Sequence, residues 1–313
     1  MGARRKTIKR VIRTKLEEWI DTIKDEDVAR LAYRDSFVTG GAIASLLLGN
    51  APKDFDVYFR TKEAALAVAN YYVKVFQEKT GKAYTITVGE YQFTNINGEL
   101  EDRVGIKVSS AGVAGQTETD VDEQMEVEEL AGLLRGSNNE PASEPTDEGY
   151  APTFLSQNAI TLSNKVQLII RFFGTPDEIH KNYDFVHCQN WYDLKMDHLE
   201  LKPEAMESIL SKSLVYTGSL YPICSILRVR KFIQREWKIN AGQILKMAMQ
   251  CKKIDFTDPK VLADQLNGCD SHYFSMLIRA MHETDSNEEG EAKPRRDLSE
   301  TYVTELIDRI FSQ

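Results

Sequence analysis

Between Thr39 and Val57 the chain reads Thr-Gly-Gly-Ala-Ile-Ala-Ser-Leu-Leu-Leu-Gly-Asn-Ala-Pro-Lys-Asp-Phe-Asp-Val, an order of residues that few local structures accommodate. Asp35 to Thr39 suits a short strand that stops at two glycines. Ala42 to Leu48 then suits a helix closed by Gly49. Glycines at a strand-to-helix turn let a phosphate come close to the backbone and meet the unpaired N–H groups of a helix N-terminus, which makes Thr39, Gly40 and Gly41 candidate phosphate-binding residues. Lys53 to Phe59 alternates as a second strand. With a side-chain period of two, Asp54 and Asp56 fall on one face while Phe55, Val57 and Phe59 turn to the core. Neighbouring carboxylates repel unless something positive lies between them, and Mg²⁺ or Mn²⁺ suits oxygen ligands so placed. The plainer alternative is a solvated strand face with two incidental acids, and the upstream glycine pair argues against it.

Around this run the chain of 313 residues is long enough for two domains and, at 42% hydrophobic residues, for a sizeable core. An N-terminal helix is predicted from about Lys6 to Ile23, beginning in a basic stretch. A helix from Glu63 to Glu78 should follow the Asp-x-Asp strand, then strands near 84–91 and 104–109 about an Asn97-Gly98 turn. Residues 158–162 and 166–173 suit a hairpin about Ser163-Asn164-Lys165, and Thr175-Pro176-Asp177-Glu178 opens a short helix. From Pro203 onward the pattern is helical. Between residues 116 and 149 eleven acids face one base, Arg135, so this tract accounts for more than the whole net charge of −9. Its prolines and near absence of aromatics predict a disordered acidic insertion over 112–152. The expected organisation is a basic helical segment at 1–34, a head at 35–200 and a helical domain at 201–313 with a flexible stretch at 284–297. No run approaches the length of a membrane span, and the N-terminus is too basic for a secretory signal, so a cytoplasmic protein without a membrane partner is expected. Cys188, Cys224, Cys251 and Cys269 lack paired spacing, which favours reduced thiols over disulfides or a zinc site.

Gly40-Gly41-Ala42-Ile43 through Leu46-Leu47-Leu48-Gly49, with Pro52-Lys53-Asp54-Phe55-Asp56-Val57, resembles the head-domain signature of the tRNA nucleotidyltransferase and poly(A) polymerase branch of the DNA polymerase β-like nucleotidyltransferase superfamily. Ser225 to Ile239 is similar to the Leu-Arg-rich helix that follows the head in those enzymes. The resemblance implies an α/β (α+β) head with a mixed sheet, followed by an all-helical domain, and two-metal transfer from an NTP. It implies Asp54 and Asp56 as catalytic metal ligands and a third carboxylate on or near a neighbouring strand, for which Asp184 is the candidate. It places Arg228 or Lys231 at the nucleotide phosphates, with Trp237 able to stack on a base; the equal alternative is that Trp237 packs in the core with Phe232 while the basic residues form a solvated helix face. Tyr183 to Cys188 also resembles nucleotidyltransferase-like proteins encoded by bacteriophages. There are departures. Ala44-Ser45 stands where the tRNA enzymes carry Arg-Asp, and Tyr221 to Cys224 stands where they carry Asp-Pro-x-Arg. Their base-selecting Glu-Asp-x-x-Arg does not follow the Leu-Arg helix; Glu26 to Arg30 has those letters only upstream of the head. Addition of the tRNA terminal sequence is therefore not implied.

The function expected from these residues is metal-dependent transfer of an NMP from an NTP to a hydroxyl, at an RNA 3′ end, tRNA-like or other. Gly40 and Gly41 admit the triphosphate, Asp54, Asp56 and Asp184 serve the metal and the acceptor, and Lys53 and Arg228 neutralise charge on the departing pyrophosphate. Two alternatives stand beside it: AMP transfer to a protein side chain, and a non-catalytic binding or inhibitory module that keeps the fold. The replaced arginines speak for the last, the intact Asp54 and Asp56 against it.

Overall fold

The computed structural model describes residues 4–80, 84–94, 98–110 and 149–256, with isolated positions between 258 and 307. The acidic insertion, the 284–297 stretch and most of the helix expected near the C-terminus lie outside the described residues. The chain divides into two compact units, residues 1–211 and 212–313.

The first unit is built on one seven-stranded sheet. Its elements run α1 (Arg5–Asp21), α2 (Glu26–Asp35), β1 (Ser36–Thr39), α3 (Gly41–Leu48), β2 (Phe55–Phe59), α4 (Lys62–Thr80), β3 (Tyr84–Thr94) and β4 (Leu100–Ser110). After the insertion come β5 (Pro152–Leu155), β6 (Ala159–Leu162), β7 (Val166–Phe173), α5 (Pro176–His180), β8 (Trp191–Asp193), β9 (His198–Glu200) and α6 (Pro203–Ser211). Across the sheet the strands lie in the order β5-β6-β7-β2-β1-β8-β9. β2 and β7 pair in parallel and their other neighbours are antiparallel, so the sheet is mixed, as the resemblance implied. β3 and β4 form a separate antiparallel hairpin.

Register decides what each sheet face can do. Val38 lies opposite Val57, and Val57 opposite Leu168. These side chains share one face and are fully buried in the same cluster as Ile8, Ile12, Leu16 and Trp19 of α1 and Ala65, Val68, Ala69 and Tyr72 of α4. The α1 residues recur at helical spacing, which folds that basic helix onto the sheet through its apolar stripe. Trp19 donates its indole N–H to the Tyr72 hydroxyl at 2.9 Å inside this core, satisfying a polar group that burial would otherwise strand. Phe55 and Phe59 turn to the same side as Val57, as alternation predicts. Stepping one residue along each strand gives the opposite face: Thr39 opposite Asp56, Asp56 opposite Gln167, and Phe37 opposite Tyr58. That face carries the polar groups.

Several elements were not legible from sequence. α2 opens on Asp25, whose carboxylate accepts from the N–H groups of Asp27 and Val28. The strands β5, β8 and β9 have only four, three and three residues, too short to show an alternating pattern. The β6–β7 hairpin does turn at Ser163–Lys165, where Asn164 and Lys165 both take φ 62°.

The second unit is described through β10 (Ser213–Leu214), α7 (Pro222–Ile233), β11 (Lys238–Ile239) and α8 (Ala241–Cys251). Among the described residues of this unit two of the expected helices are present, with a short parallel pairing of β10 and β11 beside them. Cys188 and Cys251 are free thiols, and Cys269 lies outside the described residues. Among the described residues no helix is long and apolar enough to cross a membrane.

Candidate active site

The polar sheet face meets the glycine turn where β1 ends, at the buried Thr39 and Gly40. Gly40 adopts φ 91° and ψ −153°, a conformation open essentially to glycine alone, and its N–H donates to the Cys188 carbonyl at 3.0 Å. A Cβ placed on Gly40 would lie 2.9 Å from Oδ2 of Asp56 and 3.5 Å from the Tyr183 hydroxyl. The backbone thus passes within contact of the Asp56 carboxylate, and only a missing side chain permits it. Gly41 differs: a Cβ there would meet nothing within 4 Å, and the residue is exposed as the first of α3. Open space therefore lies on the side-chain side of Gly41, while Ala42 and Ile43 behind it are buried. At its other end α3 closes on Gly49 in the left-handed conformation, φ 80°.

Asp56 is half-buried and set in the ladder between Thr39 and Gln167. Asp54 is exposed and stands on the loop leading into β2, because the strand begins at Phe55. The sequence reading put both acids in the strand. β1 turns away into α3 after Thr39, which leaves no partner to extend the ladder back to Asp54. Lys53, also exposed, precedes it.

Asp184 is buried between α5 and the single helical turn Val186–Cys188. Its charge works on the buried His187 imidazole, which burial nevertheless pushes down to about 4. Among the described residues no three His, Cys, Asp or Glu side chains gather as a metal-holding group. The position beside Asp56 on the adjacent parallel strand is Gln167, an uncharged residue. The hard oxygen donors that fit a divalent cation at this turn are those of Asp56 and Asp54.

Three residues that sequence reasoning did not assign complete the surroundings. Thr39 Oγ1 lies 2.8 Å from Nε2 of the buried His180 and donates to the Asn190 carbonyl at 2.8 Å. The Lys202 ammonium lies 3.2 Å from His180 Nδ1 and 2.7 Å from the Asp177 carboxylate. Since an ammonium only donates, Nδ1 accepts and Nε2–H must donate to Thr39. Burial, with Lys202 adding to it against Asp177, pushes His180 down to about 4 and keeps it neutral. Tyr183 packs on the His180 ring at 5.1 Å between centroids and on Tyr58 at 6.1 Å. Its hydroxyl hydrogen-bonds with the Tyr58 and Thr39 side chains, and its phenol is held well above the usual range, first by burial and then by Tyr58 and Asp56. The only trace of this in sequence is that Tyr183 immediately precedes Asp184, with His180 three residues before Tyr183.

Arg228 and Lys231 lie on α7 of the second unit, both exposed. Trp237 is buried against Phe232, ring centroids 5.5 Å apart, so its ring packs in that unit's core and is not presented to a base.

Comparison with known proteins adds a family. Residues 10–212 match the model described as "Gabija anti-defense 2 family protein", about two thirds of the chain. The protein "Gabija anti-defense 2" of Bacillus phage SPbetaL7 is 24% identical over 152 residues, covering 47% of this chain and 38% of that relative. Among solved structures, the Thermotoga maritima CCA-adding enzyme complexed with tRNA is similar at 13% identity and a TM-score of 0.38, over 86% of this chain and 54% of that one. A tRNA nucleotidyltransferase with a primer tRNA and an incoming ATP analogue is similar at 10% identity and a TM-score of 0.33, over 80% of this chain and 58% of that one. The chain thus matches little more than a third of the curated relative and somewhat over half of these structures.

Proposed function

This chain belongs to the Gabija anti-defense 2 family, and on that premise we propose that it is a metal-dependent nucleotidyltransferase whose transfer reaction counters a Gabija defence in the host cell of a phage. The observation that carries the chemical part is the Gly40 turn. A glycine in a conformation denied to other residues lies against a carboxylate, and the next glycine, exposed, is the first residue of a helix.

Each residue then has a task set by its place. The α3 N–H groups at Gly41 bind the triphosphate of an NTP through the helix dipole and unpaired donors. Asp56, backed by the rigid sheet, and Asp54, on the entering loop, hold Mg²⁺ or Mn²⁺. When bound, that ion neutralises phosphate charge and lowers the barrier for the acceptor hydroxyl. Lys53 stands next to this pair and offsets charge on the leaving pyrophosphate. Thr39 keeps the end of β1 fixed through its bonds to His180 and Asn190. Arg228 and Lys231 are proposed as phosphate contacts and Asp184 as the group that assists the acceptor. The neutral Gln167 beside Asp56 leaves room for that assistance to come from another element.

The acceptor is proposed as an RNA 3′ end, with a protein side chain as the second reading. Incubating the protein with each α-labelled NTP, Mg²⁺ or Mn²⁺, total RNA and host lysate separates them by which fraction takes label. Label in RNA supports the first reading and label in protein the second. No label under any condition, from a folded protein, would favour an inhibitory module that has kept the site but not the reaction.

A further inference from the structure

We propose that the solvent-facing side of α1 is a surface for the phosphate backbone of a single-stranded RNA, the strand whose 3′ end is offered to the Gly40 turn. This rests on the RNA reading of the acceptor and gives that acceptor a place to bind apart from the reacting groups. The family match begins at residue 10 and assigns nothing to the first turns of this helix.

Residues 4–15 carry seven basic side chains and no acid, in a chain whose net charge is −9. Helix stability does not call for them. Cations in a first turn face the positive end of the helix dipole, where carboxylates are favoured, and α1 has neither an acid in its first turn nor a side-chain cap. Packing does not call for them either. Ile8, Ile12, Leu16 and Trp19 fix α1 to the sheet, while Arg4, Lys6 and Arg10 are exposed and form no ion pair among the described residues. Lys6, Arg10 and Arg13 follow one another at four and three residues, which makes one row along the helix. The row is anchored at its far end: the Asp197 carboxylate lies 2.9 Å from the Lys9 ammonium and 3.7 Å from the Arg13 guanidinium.

The sheet shows where this row leads. Arg5 donates to the Leu199 carbonyl, and Leu199 pairs with Tyr192, which pairs in turn with Val38, two residues before Gly40. The leading end of α1 therefore stands at the Gly40 end of the sheet, with Leu199 two strand spacings, about 10 Å, from β1. Asp197 lies at the other end of β9, beyond His198, which pairs with Asp193 and through it with Phe37. α1 also packs against α3, the helix that starts at the turn. A strand with its last nucleotide at the turn thus has a line of free cations beside it along the sheet edge, and cations so placed bind a backbone by releasing its counterions.

The test is binding of the full chain to a labelled single-stranded RNA oligonucleotide, read by fluorescence anisotropy in metal-free buffer across a salt series. The wild type is compared with the triple variant Arg4→Ala, Lys6→Ala, Arg10→Ala and with Lys24→Ala, Lys74→Ala, which removes two exposed cations elsewhere on the same unit. Each phosphate contact with a single strand contributes about 0.7 to the slope of log affinity against log salt, so the triple variant should flatten that slope by about 2 and bind roughly 100-fold more weakly near about 0.1 M salt. Because alanine favours a helix and the dipole is relieved, its melting temperature should equal or exceed that of the wild type. The Lys24, Lys74 variant should bind as the wild type does. An unchanged slope in the triple variant would overturn the surface and leave the reading of the Gly40 turn standing, since label transfer tests that separately. A triple variant that melts well below the wild type would overturn it by giving these cations a structural task, and an equal loss in the Lys24, Lys74 variant would reduce it to net charge. Tighter binding of duplex DNA of the same length, or capture of polyglutamate and not of RNA, would assign the face to another partner. A wild type that binds no RNA at low salt would remove the RNA acceptor together with the surface.

Discussion

Replacing Gly40 with alanine should separate the demands made by the backbone from those made by the site. At φ 91° and ψ −153° a side chain is strained wherever its atoms point, and such conformations cost on the order of 1–3 kcal/mol in residues other than glycine. The added Cβ would also sit 2.9 Å from Asp56 Oδ2, closer than such contacts are found, so the carboxylate must rotate away. For a unit of this size 1 kcal/mol shifts the melting temperature by about 2–4 °C, which gives a fall of roughly 2–12 °C. Gly41→Ala is the internal control. Its Cβ would meet nothing within 4 Å, and in a helix alanine is favoured over glycine by up to about 1 kcal/mol. Calorimetric melts with and without Mn²⁺ read both effects. Gly40→Ala should melt lower and lose most of its Mn²⁺-induced rise, whereas Gly41→Ala should melt at or above the wild type. A Gly40→Ala protein that melts with the wild type and binds Mn²⁺ equally well would refute the assignment of this turn.

Tyr72→Phe deletes the acceptor of the buried Trp19 indole N–H and should destabilise the protein by about 1–3 kcal/mol in denaturant titration; an unchanged midpoint would contradict the place given to that bond in the core. His180 and His187 are both held at about 4 where an unperturbed histidine sits at 6.5. A depressed folded value means the unfolded chain takes up the protons first, so their contribution is present above pH 6.5 and is lost as pH falls towards 4, by on the order of 3 kcal/mol for each group. A denaturation midpoint that stays constant from pH 7 to 4.5 would contradict it. Arg228→Ala should weaken binding of a non-hydrolysable NTP by about 1–3 kcal/mol in calorimetric titration while leaving the melt unchanged. Equal affinity would return Arg228 to a solvated helix face.

The parts of the site that were legible in sequence are those built from neighbours in the chain. Gly40, Gly41, Gly49 and the core-facing Phe55, Val57 and Phe59 announce a strand, a turn, a helix and a strand because each local conformation restricts its own residue types. Asp54 was misplaced by one position, since where a strand begins depends on whether a partner strand reaches that far, and β1 does not. The places of Tyr183, His180 and Lys202 around Thr39 could not be read. Their relation to Thr39 spans some 140 residues of chain and is created by the β1–β8 pairing and the turn after α5, neither of which leaves a local pattern. Trp237 was open in sequence, because an aromatic on a basic helix reads equally as a stacking platform or a core anchor, and only its packing on Phe232 decides. The basic stretch of α1 likewise drew attention to charge, when the apolar stripe of Ile8, Ile12, Leu16 and Trp19 is what fixes the helix to the sheet.

The most direct test of the proposed function is phage growth on a host carrying a Gabija defence and expressing this chain, with wild type and Asp56→Asn compared at matched protein levels. If nucleotidyl transfer at the Gly40 turn is what defeats the defence, the wild type should restore plaque formation and Asp56→Asn, folded and equally abundant, should leave the host protected. Restoration by Asp56→Asn to the wild-type level would show that the protein counters the defence without that chemistry.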